Sequence, residues 1–335
     1  MGEFVLYGER IYPDDSVERR IFGEGVEIAF ADAATLADIP DRLTEAATGL
    51  MIFRQFVRAE DLARFPRLKA IVRMGVGYDR VDRKAAAARG ILVCNVPDYG
   101  TAEVADHAIA LMLALRRGLT LHHDAQRATP PAPWAYRDHP LIRRLDRLRL
   151  GIVGLGRIGT AVALRAKAFG MRVIAYDPYQ PNGVERALGI ERAKTLAELL
   201  AQSDTLSLHT PLTPETRGMI DAAELALLPR GALVINTARG PILDLDALHA
   251  ALESGHVAGA GLDVLPLEPP PDPPPRLLAA YRSGAPWLAG RLIITPHSAF
   301  FSPEAWEDIR VKSAETMRAA LLGPRPQNVV PAEAF

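Results

Sequence analysis

Cysteine is nearly missing from this chain: Cys94 is the only one among 335 residues. A single thiol excludes an intramolecular disulfide and a cysteine zinc cluster, and such sparing use suits a reducing compartment. Excess charge of either sign is missing too. The 39 lysines and arginines face 40 aspartates and glutamates, for a formal net charge of −1. That balance removes the global basic field that would draw nucleic acid or anionic lipid. Long apolar runs are absent as well: the most apolar stretch, Ala108 to Leu115, is far too short to span a bilayer. The first residues, Met1-Gly2-Glu3-Phe4-Val5-Leu6, lack the basic start and apolar core of a secretory signal. A cytoplasmic location is therefore expected. No cluster of histidines, aspartates and glutamates has a metal-ligand spacing. Asp106 and His107 are adjacent, so a helix points them apart, and His122 and His123 have no acid at a recognisable distance. His107 itself falls in an apolar helical pattern and reads as structural. Neither a metal, a nucleic acid nor a membrane is expected as a partner.

What the chain does contain is an α/β rhythm, long enough for two domains. In the first hundred residues, strand-like runs at Val26–Phe30, Leu50–Phe53, Ala70–Arg73 and Ile91–Cys94 alternate with helical patterns at Ala59–Arg64 and Val81–Arg89. Such alternation predicts a parallel sheet covered by helices. A long helix is predicted from Thr101 to Arg117, with a wide apolar stripe through Val104, Ala105, Ala108, Ile109, Met112 and Leu115. A connector with several prolines follows, near 129–140. A second series runs from Leu150 to Ile294, with strands at Gly151–Val153, Val173–Tyr176, Thr205–Leu208, Ala232–Ile235, Ala258–Leu262 and Leu292–Ile294. Six strands separated by helices match a complete doubly wound sheet. The proline-rich run after Pro266 reads as a surface excursion, and a last amphipathic helix spans about Pro303 to Leu322.

The most informative segment is Leu150-Gly151-Ile152-Val153-Gly154-Leu155-Gly156-Arg157-Ile158-Gly159. It sets three glycines between a short apolar strand and a helix. Asp177 follows 18 residues after Gly159, at the end of a second apolar run. Strand, glycines, helix, strand and acid in this order form a dinucleotide-binding unit. Gly154 permits the tight turn, Gly156 lets the backbone approach a pyrophosphate, and Gly159 lets the helix pack on the sheet. The helix N-terminus offers N–H groups and partial positive charge to the phosphates. Asp177 can accept from both hydroxyls of an adenosine ribose and would repel a 2′-phosphate, so NAD is expected rather than NADP.

Three segments downstream each put a reactive side chain just beyond an apolar strand, where open α/β sheets bind ligands. They present Arg239 in Asn236–Gly240, Asp263 and Glu268 in Leu262–Pro269, and His297 in Thr295–Ala299. On these motifs, with Gly154–Gly159 and Asp177, the chain resembles the NAD-dependent D-2-hydroxyacid dehydrogenases over nearly its whole length. The resemblance implies an α/β fold of two Rossmann-like or flavodoxin-like domains with parallel sheets and an interdomain cleft. A discontinuous substrate domain would comprise 1–100 and 297–335, and the NAD-binding domain 101–296, including the helix 101–117. It also implies roles. Arg239 would hold the substrate's carboxylate and 2-oxo group. His297 would exchange a proton with the ketone oxygen. Glu268 would orient the ring and favour the imidazolium. Asp263 would accept from the nicotinamide carboxamide. Thr210, Thr237 and Ala238 would line the cofactor's ribose and nicotinamide, and Arg157 and Ile158 would offer N–H groups to the pyrophosphate. In the first domain, Arg73-Met74-Gly75-Val76-Gly77 resembles the family's substrate-side loop, in which Gly75, Val76 and Gly77 would form an anion nest beside Arg73.

The expected activity is hydride transfer between NAD(H) and a small 2-oxo or 2-hydroxy acid, by a homodimer. Within the family, Arg157 through His209 looks especially like the C-terminal binding proteins, which are NAD-linked corepressors. An NAD(H)-sensing interaction protein is therefore the rival reading. Phe300 where those proteins have Trp, and a chain that stops at Phe335 without their long tail, weaken it. Oxidation of formate or phosphite on the same scaffold is the other alternative.

Overall fold

The computed structural model describes residues 2–332. It divides into two compact units: residues up to Gly100 together with those from Phe301 onward, and Thr101–Phe300 between them. The sequence puts the return to the first unit at 297. The structure puts it four residues later because His297–Ala299 are bonded to Asp263 of the second unit: His297 N to its carbonyl at 2.7 Å, and Ser298 N and Ala299 N to its carboxylate at 2.9 and 3.0 Å.

The first unit holds a parallel sheet of β1 (Glu3–Tyr7), β2 (Val26–Phe30), β3 (Gly49–Ile52), β4 (Ala70–Arg73) and β5 (Leu92–Cys94), in the order β2-β1-β3-β4-β5. This is the flavodoxin-like order, with its switch point between β1 and β3. The Phe4-Val5-Leu6 run, notable in sequence only for not being a signal, lies in the interior strand β1. All three residues are buried, so the run is apolar on both faces and shows no period-2 alternation to read. At the switch point, the Glu9 carboxylate accepts the backbone N–H groups of Phe53 and Arg54 at 2.6 and 2.7 Å.

The second unit's sheet comprises β6 (Arg149–Val153), β7 (Arg172–Tyr176), β8 (Glu191–Arg192), β9 (Thr205–Leu208), β10 (Ala232–Asn236), β11 (Val257–Leu262) and β12 (Leu292–Ile294). The order is β12-β11-β10-β9-β6-β7-β8, and every pairing is parallel. The order reverses at β6, so the ligand crevice lies beyond the carboxyl ends of β6 and β9. The Thr101–Arg116 helix buries Val104, Ala105, Ala108, Ile109, Leu111, Met112 and Leu115. It packs within its own unit, on the Arg157–Ala168 helix and on β10 and β11. Its breadth of apolar surface is thus accounted for without a partner chain. Gly261 is small because Leu111 crosses it: a Cβ there would lie 2.9 Å from Leu111 Cβ.

Candidate active site

The glycine turn after β6 has the shape its residues require. Gly154 has φ +90°, and a Cβ on it would meet the carbonyl of His209 at 2.8 Å, so the ends of β6 and β9 approach more closely than a side chain permits. A Cβ on Gly159 would lie 2.0 Å from the Gly154 oxygen, which fixes the close seat of the Arg157–Ala168 helix. Gly156 differs. It caps that helix with no side-chain bond, and a Cβ on it would enter open space. The first turn of the helix, with Arg157 and Ile158, therefore presents its N–H groups to an uncovered side.

Asp177 ends β7 with its carboxylate pinned by backbone: Oδ2 accepts Leu155 N at 2.8 Å and Oδ1 accepts Tyr179 N at 2.9 Å. Each oxygen keeps lone pairs for a further donor. Nearby, Arg192 Nη2 donates to the carbonyls of Asp177 and Gln180 at 2.9 and 2.8 Å, stapling the loop that follows. The side-chain oxygens of Thr210 and Thr237 are buried without a hydrogen-bond partner. A buried hydroxyl without a partner is costly, so two of them beyond the carboxyl ends of β9 and β10 fit a bound polar group. Together with the space over Gly156, they fit a dinucleotide. His209 spends its Nε2 on Ser207 Oγ at 2.8 Å, and burial lowers its imidazole pKa to about 4. It is a neutral packing group at neutral pH.

The reactive side chains stand together in this unit. Asn236, at the end of β10, folds the next turn: its Oδ1 accepts Ala238 N at 3.0 Å and its Nδ2 donates to the Arg239 carbonyl at 3.0 Å. Gly240 lets that turn press on the following segment, since a Cβ there would strike the Leu265 carbonyl carbon at 2.0 Å. This seats Arg239 beside the loop that carries Glu268. Glu268 Oε1 accepts Leu265 N at 2.9 Å, and Oε2 meets His297 Nδ1 at 2.6 Å. Burial raises the Glu268 carboxyl, but the His297 hydrogen bond, its charge and Arg239 outweigh this and hold it below the usual range. Glu268 is therefore the anion, Nδ1 carries the proton of the pair, and Nε2 is left for a reacting atom.

His297 has φ +52°. A non-glycine residue in this left-handed region costs roughly 1–2 kcal/mol, and Asp263 holds it there. Asp263 is 1% exposed. Its carboxylate accepts Thr295 Oγ1 at 2.6 Å as well as Ser298 N and Ala299 N. From sequence, Asp263 is assigned only a cofactor contact. Its main work in this structure is to support the His297 turn, and nothing in sequence spacing displays those bonds. Asn236 and Thr295 also escape sequence reading: Asn236 acts through local side-chain to backbone bonds, and Thr295 through a side-chain bond to a residue 32 positions away.

The Arg73–Gly77 loop belongs to the first unit. Gly75 has φ +140°, and a Cβ on it would lie 1.9 Å from Arg73 Nη1. Its N–H is already given to the Arg73 carbonyl at 2.9 Å. Gly75 therefore serves the loop by its conformation. Asn95 Nδ2 holds the Val76 carbonyl at 2.7 Å, which braces the next residues.

Residues 109–299 match the model of the D-isomer specific 2-hydroxyacid dehydrogenase NAD binding domain. The chain is 37% identical over 323 residues to C-terminal-binding protein 1 of Caenorhabditis elegans, covering 94% of this chain and 43% of the worm protein. It is 39% identical over 325 residues to D-3-phosphoglycerate dehydrogenase of Mycobacterium bovis, covering 95% of this chain and 57% of that protein. The chain thus spans about half the length of the curated relatives it matches. Among solved structures, D-lactate dehydrogenase from Aquifex aeolicus, complexed with NAD and lactic acid, aligns with TM-score 0.80 and 31% identity over 94% of each chain. Matched by that domain model across most of its second unit, the chain belongs to the D-isomer-specific 2-hydroxyacid dehydrogenase family and carries its NAD-binding domain.

Proposed function

We propose that the protein interconverts a small 2-oxo acid and its D-2-hydroxy acid with NAD(H). The observation that carries this reading is the 2.6 Å pairing of His297 Nδ1 with Glu268 Oε2, beside Arg239. NAD(H), when bound, supplies or accepts the hydride. Gly154, Gly156 and Gly159, with the N–H groups of Arg157 and Ile158, would hold its pyrophosphate. Asp177 would hold the adenosine ribose, and Thr210, Thr237, Ala238 and Asp263 the nicotinamide end.

The chain's own residues do the rest. Arg239 offers a planar fork of donors to the substrate's carboxylate and 2-oxo oxygen. In reduction, His297 Nε2 gives a proton to the ketone oxygen; in oxidation it takes that proton back from the hydroxyl. Glu268 keeps Nδ1 protonated and balances the charge of the imidazolium. In the first unit, the loop at Gly75 is assigned the substrate carboxylate, with the Val76 and Gly77 amides as donors and Arg73 as the cation beside them. A cytoplasmic homodimer is the setting we favour. The buried lone Cys94 supports a reducing compartment. Trp134 and Tyr136, 93% and 92% exposed in the connector, support a partner surface more directly than the buried helix does.

A panel of 2-oxo acids assayed with NADH tests the reading. Turnover of at least one small member is expected, and it should disappear in His297→Ala while NADH binding persists. NADH binding with no turnover across the panel would favour the cofactor-sensing alternative.

A further inference from the structure

Beneath the His297 turn lies a chain of polar contacts that the catalytic scheme does not use. His107, on the Thr101–Arg116 helix, places Nε2 3.0 Å from Thr295 Oγ1 and 3.8 Å from Asp263 Oδ1. Thr295 Oγ1 lies 2.6 Å from Asp263 Oδ1. The directions of these bonds follow from valence. A carboxylate only accepts, so the threonine gives its one hydroxyl proton to Asp263. The hydroxyl must then accept from His107, so the imidazole carries a proton on Nε2. Asp263 in turn receives Ser298 N and Ala299 N on its carboxylate and His297 N on its carbonyl. Every amide from 297 to 299 therefore hangs on one aspartate, whose orientation is set by a hydroxyl that His107 orients.

We propose that His107 is a positioning residue for His297, acting through Thr295 and Asp263. The proposal rests on the reading of His297 as the proton donor. His107 touches neither substrate nor reacting atom. It holds the threonine hydroxyl in the rotamer that faces Asp263, and thereby keeps the strained turn in the one conformation that aligns Nδ1 with Glu268. Donation from Nε2 is the essential property, so a glutamine amide can replace it and an apolar ring cannot.

The test uses the full chain with His107→Phe, His107→Gln, Thr295→Val and Thr295→Ser. Each is assayed for kcat and KM with a turned-over 2-oxo acid, and for NADH affinity by fluorescence titration. Hydrogen exchange of the peptide spanning 295–300 is followed in parallel. His107→Phe should lower kcat about tenfold, with KM and NADH affinity within about twofold of wild type, and His107→Gln should recover most of that loss. Thr295→Ser should behave like wild type, and Thr295→Val like His107→Phe. A His107→Phe/Thr295→Val double variant should be little worse than either single one, because one chain is broken twice. Exchange of the 297–299 amides should quicken in His107→Phe and slow again in His107→Gln. That readout needs no turnover, so it judges the positioning chain even if no 2-oxo acid is reduced. Unchanged exchange in His107→Phe, losses that multiply in the double variant, or a His107→Gln no better than the phenylalanine would each overturn the proposal.

Discussion

Lysine in place of Arg239 would keep the charge and lose the shape. The Asn236–Gly240 turn aims a planar fork, and an ammonium cannot bond a carboxylate and a ketone oxygen in the same plane. Arg239→Lys should therefore lower kcat/KM for the 2-oxo acid by about 100-fold, consistent with roughly 1.5–3 kcal/mol for a charged hydrogen bond, while NADH affinity barely changes. Steady-state kinetics beside an NADH titration checks this, and near-normal kcat/KM would remove Arg239 from the substrate's carboxylate. Glu268 makes a pH prediction. Its carboxyl is held below the usual range, so its contribution to stability is complete above about pH 4.5 and is lost as pH falls through the lowered value. Glu268→Gln removes that charge while keeping a side chain that can bond Nδ1. The protonated ring loses its counter-ion, so reductive kcat/KM should fall while NADH affinity holds. An unchanged kcat/KM would show that Glu268 only orients the ring. At this scale Arg239, Glu268 and His297 were legible as residues that follow apolar strands. The second duty of Asp263 and the place of His107 were not. His107 reads as one more position on a buried helix, and only the fold reveals Thr295 188 residues away.

The glycine turn lets local fold be separated from cofactor contact with two substitutions three positions apart. A Cβ at Gly159 would sit 2.0 Å from a backbone oxygen that cannot yield cheaply, whereas a Cβ at Gly156 would meet nothing within 4 Å. Gly159→Ala should destabilise the second unit by about 1–3 kcal/mol, the usual cost of overpacking. Gly156→Ala should leave Tm within a few degrees yet weaken NADH binding about tenfold, because the methyl group occupies the space in which the pyrophosphate approaches the amides. Thermal melts and NADH titrations of both proteins decide the matter. A Gly156→Ala protein that binds NADH normally would move the pyrophosphate away from this turn. The element was legible in sequence because its demands are severe: the turn at Gly154 and the helix seat at Gly159 each admit only glycine. Elements with weaker demands escaped. β8 is only two residues long. The Leu119–Arg127 helix is mostly polar and begins after Gly118 at φ +61°, so it shows no apolar stripe to read between the helix 101–117 and the connector near 129–140.

Taken whole, the chain builds its first unit from both ends, and the junction rests on a buried ion pair. Arg310, on the returning Pro303–Leu322 helix, bonds Glu18 of the Ser16–Phe22 helix through Nη2–Oε2 at 2.7 Å and Nε–Oε1 at 2.9 Å. The same guanidinium reaches the Asp14 carbonyl at 2.7 Å and lies 4.7 Å from the Tyr12 ring centroid. Glu18 is 0% exposed and Arg310 7%, so neither charge has water to turn to. Sequence shows Arg310 only as a charge on an amphipathic helix, and Glu18, 292 positions away, in a stretch given no element. Nothing in either helix alone names the other as its partner, so only the family pattern pointed to a discontinuous unit. Removing one partner from a buried pair costs about 3–5 kcal/mol, whereas replacing both with apolar groups is often nearly neutral. Arg310→Met should thus destabilise the first unit by that amount, and Arg310→Met/Glu18→Met should recover most of the loss. Every residue assigned to NAD(H) lies in the other unit, so Arg310→Met should keep its NADH affinity below the unfolding midpoint while losing turnover as urea rises. Acid should act on the same junction late. Hydrogen bonds from Ser16 and Arg310 lower the Asp14 carboxyl pKa to about 2, so its share is present above about pH 3.8 and is lost only as pH falls through that value. Urea titrations followed by circular dichroism, with NADH fluorescence on the same samples, measure both effects. A double variant as weak as Arg310→Met would mean that packing rather than the unpaired Glu18 charge sets the cost. NADH binding that fails together with turnover would mean that the two units do not unfold separately.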